Sequence, residues 1–274
     1  MDRPPPPRRT HARAVLGTTA LAVLLGCPTH LTAQSAVGSR WAADAVLART
    51  VQSDELASPL RYRGLGPGVA LGYERVRTNS RSGLQLLYMR PSLASDISRG
   101  LTFVEAGHRL RMSVPHLREV HERQRLTLLL GGQLAGDAYY RRHDYAPFSE
   151  HYLDAFLLLQ AMAAVEWRLG PDVRIEQRLA LPLAGVAWRG AYTGLKYGPS
   201  ARFELPHRLQ GLTHSVGVSR SVGSGVALRA THEVGMLRHP DPWRLAVLTQ
   251  WLSVGLEWRR GSVAAVPGVT EAGR

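Results

Sequence analysis

The residues able to do chemistry are few and scattered. "THSVGVS" sets His214 beside Ser215, a general base next to a nucleophile. Neighbouring residues of an extended chain point to opposite faces, so this imidazole cannot take the proton of this hydroxyl. A His-x-Ser spacing, which would bring such a pair to one face, occurs nowhere in the sequence. "RRHDYAPFSEH" gathers His143, Asp144, Glu150 and His151. Carboxylates and imidazoles at a rim could activate a water or hold a divalent cation, but a polar loop ordinarily has the same mixture. The expectation is a protein that is not an enzyme, with no catalytic residue, metal site or cofactor.

The charged residues are organised differently. From Ala163 to Leu183, "AAVEWRLGPDVRIEQRLALPL" alternates by parity around a Gly-Pro-Asp break. Ala163, Val165, Trp167 and Leu169 share one face, and Glu166 and Arg168 lie on the other. After the break, Val173, Ile175, Leu179 and Leu181 oppose Arg174, Glu176 and Arg178, with Gln177 the polar exception on the apolar face. A period of two marks a hairpin that is apolar on one side and charged on the other.

The pattern recurs along the chain. Val69, Leu71 and Tyr73 alternate with small or charged residues, and Leu84, Leu86 and Tyr88 follow the polar turn "RTNSRS". Val104, Ala106, Leu110 and Met112 oppose Glu105, Arg109 and Arg111, while Leu126, Leu128 and Leu130 oppose Arg125 and Thr127. Val226, Leu228, Ala230 and Val234 oppose Arg229 and Glu233. Ala246 through Trp258 repeats the pattern, with Glu257 on its polar face. His108 and His232 fall on apolar faces and are read as strand-end or interface residues. No long segment has a helical period.

The N-terminus sets the compartment. "MDRPPPPRRTHAR", the apolar run "AVLGTTALAVLLG" and the small-residue stretch "LTAQSA" have the order of a secretory signal peptide. Cleavage after Ser35 gives a signal peptide over 1–35, a barrel over 36–260 and a C-terminal tail over 261–274. Cys27 is the only cysteine, so that cut leaves a mature chain with none and no disulfides to staple it. "LLGC" is like a lipidation box, but Leu25 is bulky where a small residue is usual, and lipidation stays open. The net charge of +13 falls to +10 beyond residue 35, and Lys196 is the only lysine. With no basic helix or aromatic-interleaved patch, nucleic acid is not an expected partner.

Apolar faces on nearly every strand, charge behind them, and aromatics near strand ends (Tyr73, Tyr88, Tyr139, Tyr140, Trp167, Trp188, Trp243, Trp258) fit a wall that faces lipid. The expected fold is all-β: a transmembrane antiparallel up-and-down β-barrel of about ten strands, bounded by eight and twelve. Counted back from the C-terminus, connections alternate between short and long. Stretches 91–100, 138–153 and 184–208 are read as external loops, and 115–123 as a long periplasmic turn. Residues 42–52 supply a weak first strand, and 194–206 an external hairpin outside the wall. Leu128 and Ile175 are expected on the lipid face.

"LRYRGLGPGVALGYERVR" and "RLALPLAGVAWRGAY" resemble segments of an uncharacterised outer-membrane β-barrel family of diderm (Gram-negative type) bacteria. The resemblance covers most of 40–260 in pattern and only these stretches in wording. It implies the fold and an outer-membrane location, and brings no assigned catalytic residues. The expected partners are outer-membrane lipid and the barrel-insertion machinery, and oligomeric state is left open. The inner face is expected to carry a ladder of Glu105, Arg109, Arg111, Glu166, Arg168, Arg174, Glu176, Arg178, Arg229, Glu233 and Glu257. With so few strands the lumen is narrow or occluded, and an arginine excess would favour small anionic or amphipathic solutes. The other reading is a structural or adhesive barrel that presents 138–153 and 184–208 as recognition loops; a membrane-embedded hydrolase ranks behind both.

Overall fold

The computed structural model describes residues 37–54, 58–97, 101–123, 125–145, 148–189, 200–239 and 244–261. The signal-peptide and tail expectations lie outside them. The described chain is all strand: β1 (Gly38–Asp54), β2 (Ser58–Arg77), β3 (Ser80–Met89), β4 (Ser92–Ile97), β5 (Leu101–Arg123), β6 (Leu126–Tyr145), β7 (Phe148–Arg168), β8 (Val173–Arg189), β9 (Ser200–Glu204), β10 (Gln210–Gly223), β11 (Val226–His239) and β12 (Leu245–Arg260).

These twelve segments make ten staves. Between β3 and β4, Arg90 still donates to Pro67 O at 2.9 Å, but Pro91 has no N–H for the ladder, so one stave is recorded as two segments. Gly66 lies against this break, where a Cβ would come 2.7 Å from Pro91 Cα. β9 and β10 both pair with β8, at Gly185–Arg189 and Val173–Ala180 respectively. A turn in which Leu209 N donates to Leu205 O separates them and tucks Leu209 inward, 1% exposed. The 194–206 expectation is therefore corrected: Ser200–Glu204 belongs to the wall.

The register closes the barrel. From Arg77 the paired residues run Ser80, Arg118, Leu130, Ala163, Leu179, His214, Val234, Gln250 and Arg49, then return to β2 at Leu65. One circuit of ten staves climbs from residue 77 to residue 65, a shear of twelve residues. With ordinary strand spacing and rise this tilts the staves by about 40° around a backbone radius of about 10 Å. Each residue then climbs about 2.5 Å along the axis.

Side chains alternate as the parity demands. On β12, Val254 is 55% exposed and Ser253 6%. Leu47, Leu71, Leu134, Leu159, Leu181 and Leu252 form an exposed apolar band round the outside. At the near end, where β1 starts and β12 finishes, the turns are short, and Gly225 takes a φ of 80° that favours glycine. Trp41, Tyr73 and Trp258 lie side by side there, the first two rings 4.5 Å apart.

The strands run farther than hydrophobicity marks. Residues 115–123, expected to be a turn, are the last part of β5, with Pro115 and Leu117 turned inward. Within 91–100, Ser92–Ile97 is strand, and most of 138–153 belongs to β6 and β7. Leu128 and Ile175 do face outward, but each is only two to three residues from the near-end limit of its strand. Tyr139 turns inward, where an outer girdle position was expected. Trp243 lies outside the described residues. His232 stays on the outer face well inside the strand, not at its end.

The charged lumen as candidate functional site

The inner face carries three tiers of paired charge. At the near end Glu166 is fully buried and gathers Arg81 (2.6 Å), Arg168 (3.1 Å), Arg40 (3.8 Å) and Arg174 (3.9 Å). Around it, Glu74 takes Arg40 and Arg178 at 3.1 Å each, Glu176 takes Arg178 at 2.5 Å, and Glu257 takes Arg174 and Arg259 at 2.7 Å each. A cavity of about 130 Å³ opens beside this tier, lined in part by Arg40, Glu74, Arg111, Arg174, Arg178 and Arg229.

The middle tier spans the lumen. Arg109 grips Asp137 with two nitrogens and reaches Thr249 Oγ1 at 2.8 Å. Arg111 meets Glu233 at 2.8 Å, its guanidinium 5.1 Å from the Trp251 ring centre. Arg229 pairs with Asp44 at 3.3 Å. Apolar side chains fill the gaps: Phe156, Leu158, Leu209 and Val247 form one cluster, and Val46, Leu87, Met89 and Trp251 another.

The far tier is dry. Asp54, Arg141, Asp154 and Arg189 form a closed cycle in which each carboxylate bridges both arginines. Arg189 meets Asp54 at 2.6 Å and Asp154 at 3.3 Å, Arg141 meets Asp54 at 2.7 Å, and Arg141 also pairs with Asp154. No side chain in the cycle is more than 4% exposed. The Arg141 guanidinium stacks within 5.3 Å of Tyr139 and 5.4 Å of Tyr152. β1 stands across the barrel from β6, β7 and β8, so the cycle is a bar over the mouth. Beside it, Tyr139 donates to Glu105 at 2.9 Å and His239 meets Glu204 at 3.3 Å.

Every residue of the expected ladder has its side chain on the inner face. Opposite charges could pair directly across the β7–β8 hairpin, but its register sets Glu166 opposite Glu176 and Arg168 opposite Arg174. Like charges face each other there, so the partners come from across the lumen or from two residues along the same strand. The expected arginine excess also goes. Asp44, Asp54, Glu74, Asp137 and Asp154, absent from the ladder, offset the inner arginines, which include the unexpected Arg40, Arg81, Arg141 and Arg189. Parity alone could have found Asp44 and Asp137; Arg141 was hidden by reading 138–153 as a loop.

The other chemical candidates are not brought together. His214 points outward to Gln177 (2.8 Å), while Ser215 lines the inner cavity. His151 accepts or donates at 2.5 Å with the Tyr140 hydroxyl on the outer surface. His143 and Glu150 are backbone partners across the hairpin tip. The described residues contain no group of three or more His, Cys, Asp or Glu able to hold a metal.

No protein-family model matches the sequence, and no curated protein matches it. Among solved structures, the outer-membrane protease OmpT of Escherichia coli superposes with a TM-score of 0.51 over 85% of this chain and 99% of its own, at 8% identity. The fold is that of an outer-membrane barrel. The translocator domain of the autotransporter NalP from Neisseria meningitidis (TM-score 0.42, 12% identity, 81% of this chain and 88% of its own) and Ail of Yersinia pestis (0.32, 12%, 81% and 99%) are more distant in shape. At such identities the likeness concerns fold, and activity has to be argued from the lumen.

Proposed function

We propose that the protein is a non-catalytic outer-membrane barrel, closed at rest, that presents its far-end hairpins outside the cell. The exposed apolar band is the lipid face, the near end is periplasmic, and the insertion machinery delivers the chain there. The observation that carries the closed state is the Asp54–Arg141–Asp154–Arg189 cycle, buried and stretched from wall to wall. Tyr139, Tyr152 and Glu105 are buried at the same level. A second reading, passage of small anionic solutes, draws on Arg40, Arg111, Arg174, Arg178 and Arg229, which line the near-end cavity alongside four glutamates. It requires the cycle to part.

Planar-bilayer recording of refolded protein separates the two. The closed barrel is silent over a wide voltage range, and Arg141→Ala opens measurable current. Steady anion-selective current from the unaltered protein would favour the second reading. Recovery of the protein in the soluble periplasmic fraction would overturn both.

A further inference from the structure

On the outer surface, β1, β2 and the junction between β3 and β4 carry arginines where the apolar band ends. Arg63 lies ten residues along one face from Tyr73, about 25 Å toward the far end, which is the height of a lipid-facing band. Arg49 lies eight residues from Trp41, about 20 Å up the same way. The paired row from Arg49 runs through Leu65 to Ser92 and climbs two staves; Arg90 lies two residues back down, at nearly the height of Arg49. All three face outward and are exposed. Val51 is the cross-strand partner of Arg63, so Arg49 and Arg63 are diagonal neighbours about 7–8 Å apart.

The outward residues of β1, β2 and β12 include no carboxylate among the described ones, and Arg61 adds to the same patch. From β3 through β5 to β6 and β7, the outer face holds a different chemistry. Tyr88 bonds His108 at 2.7 Å and Tyr140 bonds His151, a row of aromatic hydroxyls and imidazoles. Extended arginines at this spacing can converge on one headgroup, and a guanidinium matches two phosphate oxygens at once.

We propose that Arg49, Arg63 and Arg90 bind the phosphate of a lipid headgroup in the external leaflet. The proposal rests on the membrane orientation given above. Its test uses the full-length chain refolded in zwitterionic detergent, with unfolding followed by heat-dependent gel migration. Diphosphorylated lipid A should raise the unfolding temperature in a saturable way. R49Q/R63Q/R90Q should keep its own midpoint without lipid and bind lipid A about tenfold or more weakly. Arg63→Gln alone gives the same readout in part, should the triple variant not fold. An equal rise with the triple variant, or with dephosphorylated lipid A, overturns the proposal; so does an equal rise with inorganic phosphate, which would mean a site for a soluble anion. A chain that folds in no detergent overturns the membrane reading itself, and this site with it.

Discussion

The two ends of the lumen hold the same chemistry in different states. At the near end, arginines and glutamates interleave around a cavity, and side chains such as Arg168 and Arg259 are about a third exposed. At the far end, two aspartates and two arginines close on each other, with no side chain more than 4% exposed. A cation between several carboxylates in a wet cavity can exchange partners, so losing one leaves others. In the buried cycle each group bridges two others, so losing one leaves buried charge without a bridging partner. The near end is the tolerant end, and the far end is the lock.

The largest effect should come from breaking that lock. Arg141→Ala leaves Asp54 and Asp154 facing each other with Arg189 alone between them, and should cost about 3–5 kcal/mol in urea unfolding. If it costs no more than the near-end variants, the dry-versus-wet contrast is mistaken.

The wall gives the next effect and calibrates the first. Leu134→Arg, near the middle of the apolar band, should cost about 2–4 kcal/mol in lipid, a penalty unrelated to the lumen. Folding into bilayers of defined thickness measures it.

Glu166→Ala tests the near end at its most buried carboxylate. Arg40 and Arg174 keep Glu74 and Glu257, while Arg81 loses its 2.6 Å partner. The expected loss is about 1–3 kcal/mol, and thermal gel shift should rank it below Arg141→Ala. The reverse ranking would place the lock at the near end. The smallest effect belongs to Leu128→Arg, where the side chain sits close to the near-end limit of β6 and can reach water. About 0–1 kcal/mol is expected, and a cost equal to that of Leu134→Arg would move the membrane boundary.

Much of the wall was legible in the sequence, because lipid outside and charge inside force a period of two on β8, β11 and β12. The ten staves followed, with 42–52 as the first even though its alanines carry little signal. The overhangs were not legible. Beyond the bilayer the outer face no longer has to be apolar, so "PHLREVHER" lost its alternation of hydrophobicity while keeping its backbone pairing. Partners were illegible for another reason. Parity puts Glu166 and Arg81 inside, but only the shear decides that they meet, and the shear is a property of the closed circuit rather than of any one segment.

That circuit also dictates the order in which the protein can form. Each hairpin joins neighbours in sequence and can zip early, whereas the seam pairs Ser39 with Arg260 and cannot close until every intervening strand is in place. Forming it requires an ordering of nearly the whole chain before the first bond is gained, which makes it the slow event of folding. Until then β1 and β12 are open edges, each a row of unpaired amides and carbonyls able to accept a foreign strand. The incomplete barrel is therefore the aggregation-prone species, and whatever shelters those two edges sets the yield of folded protein.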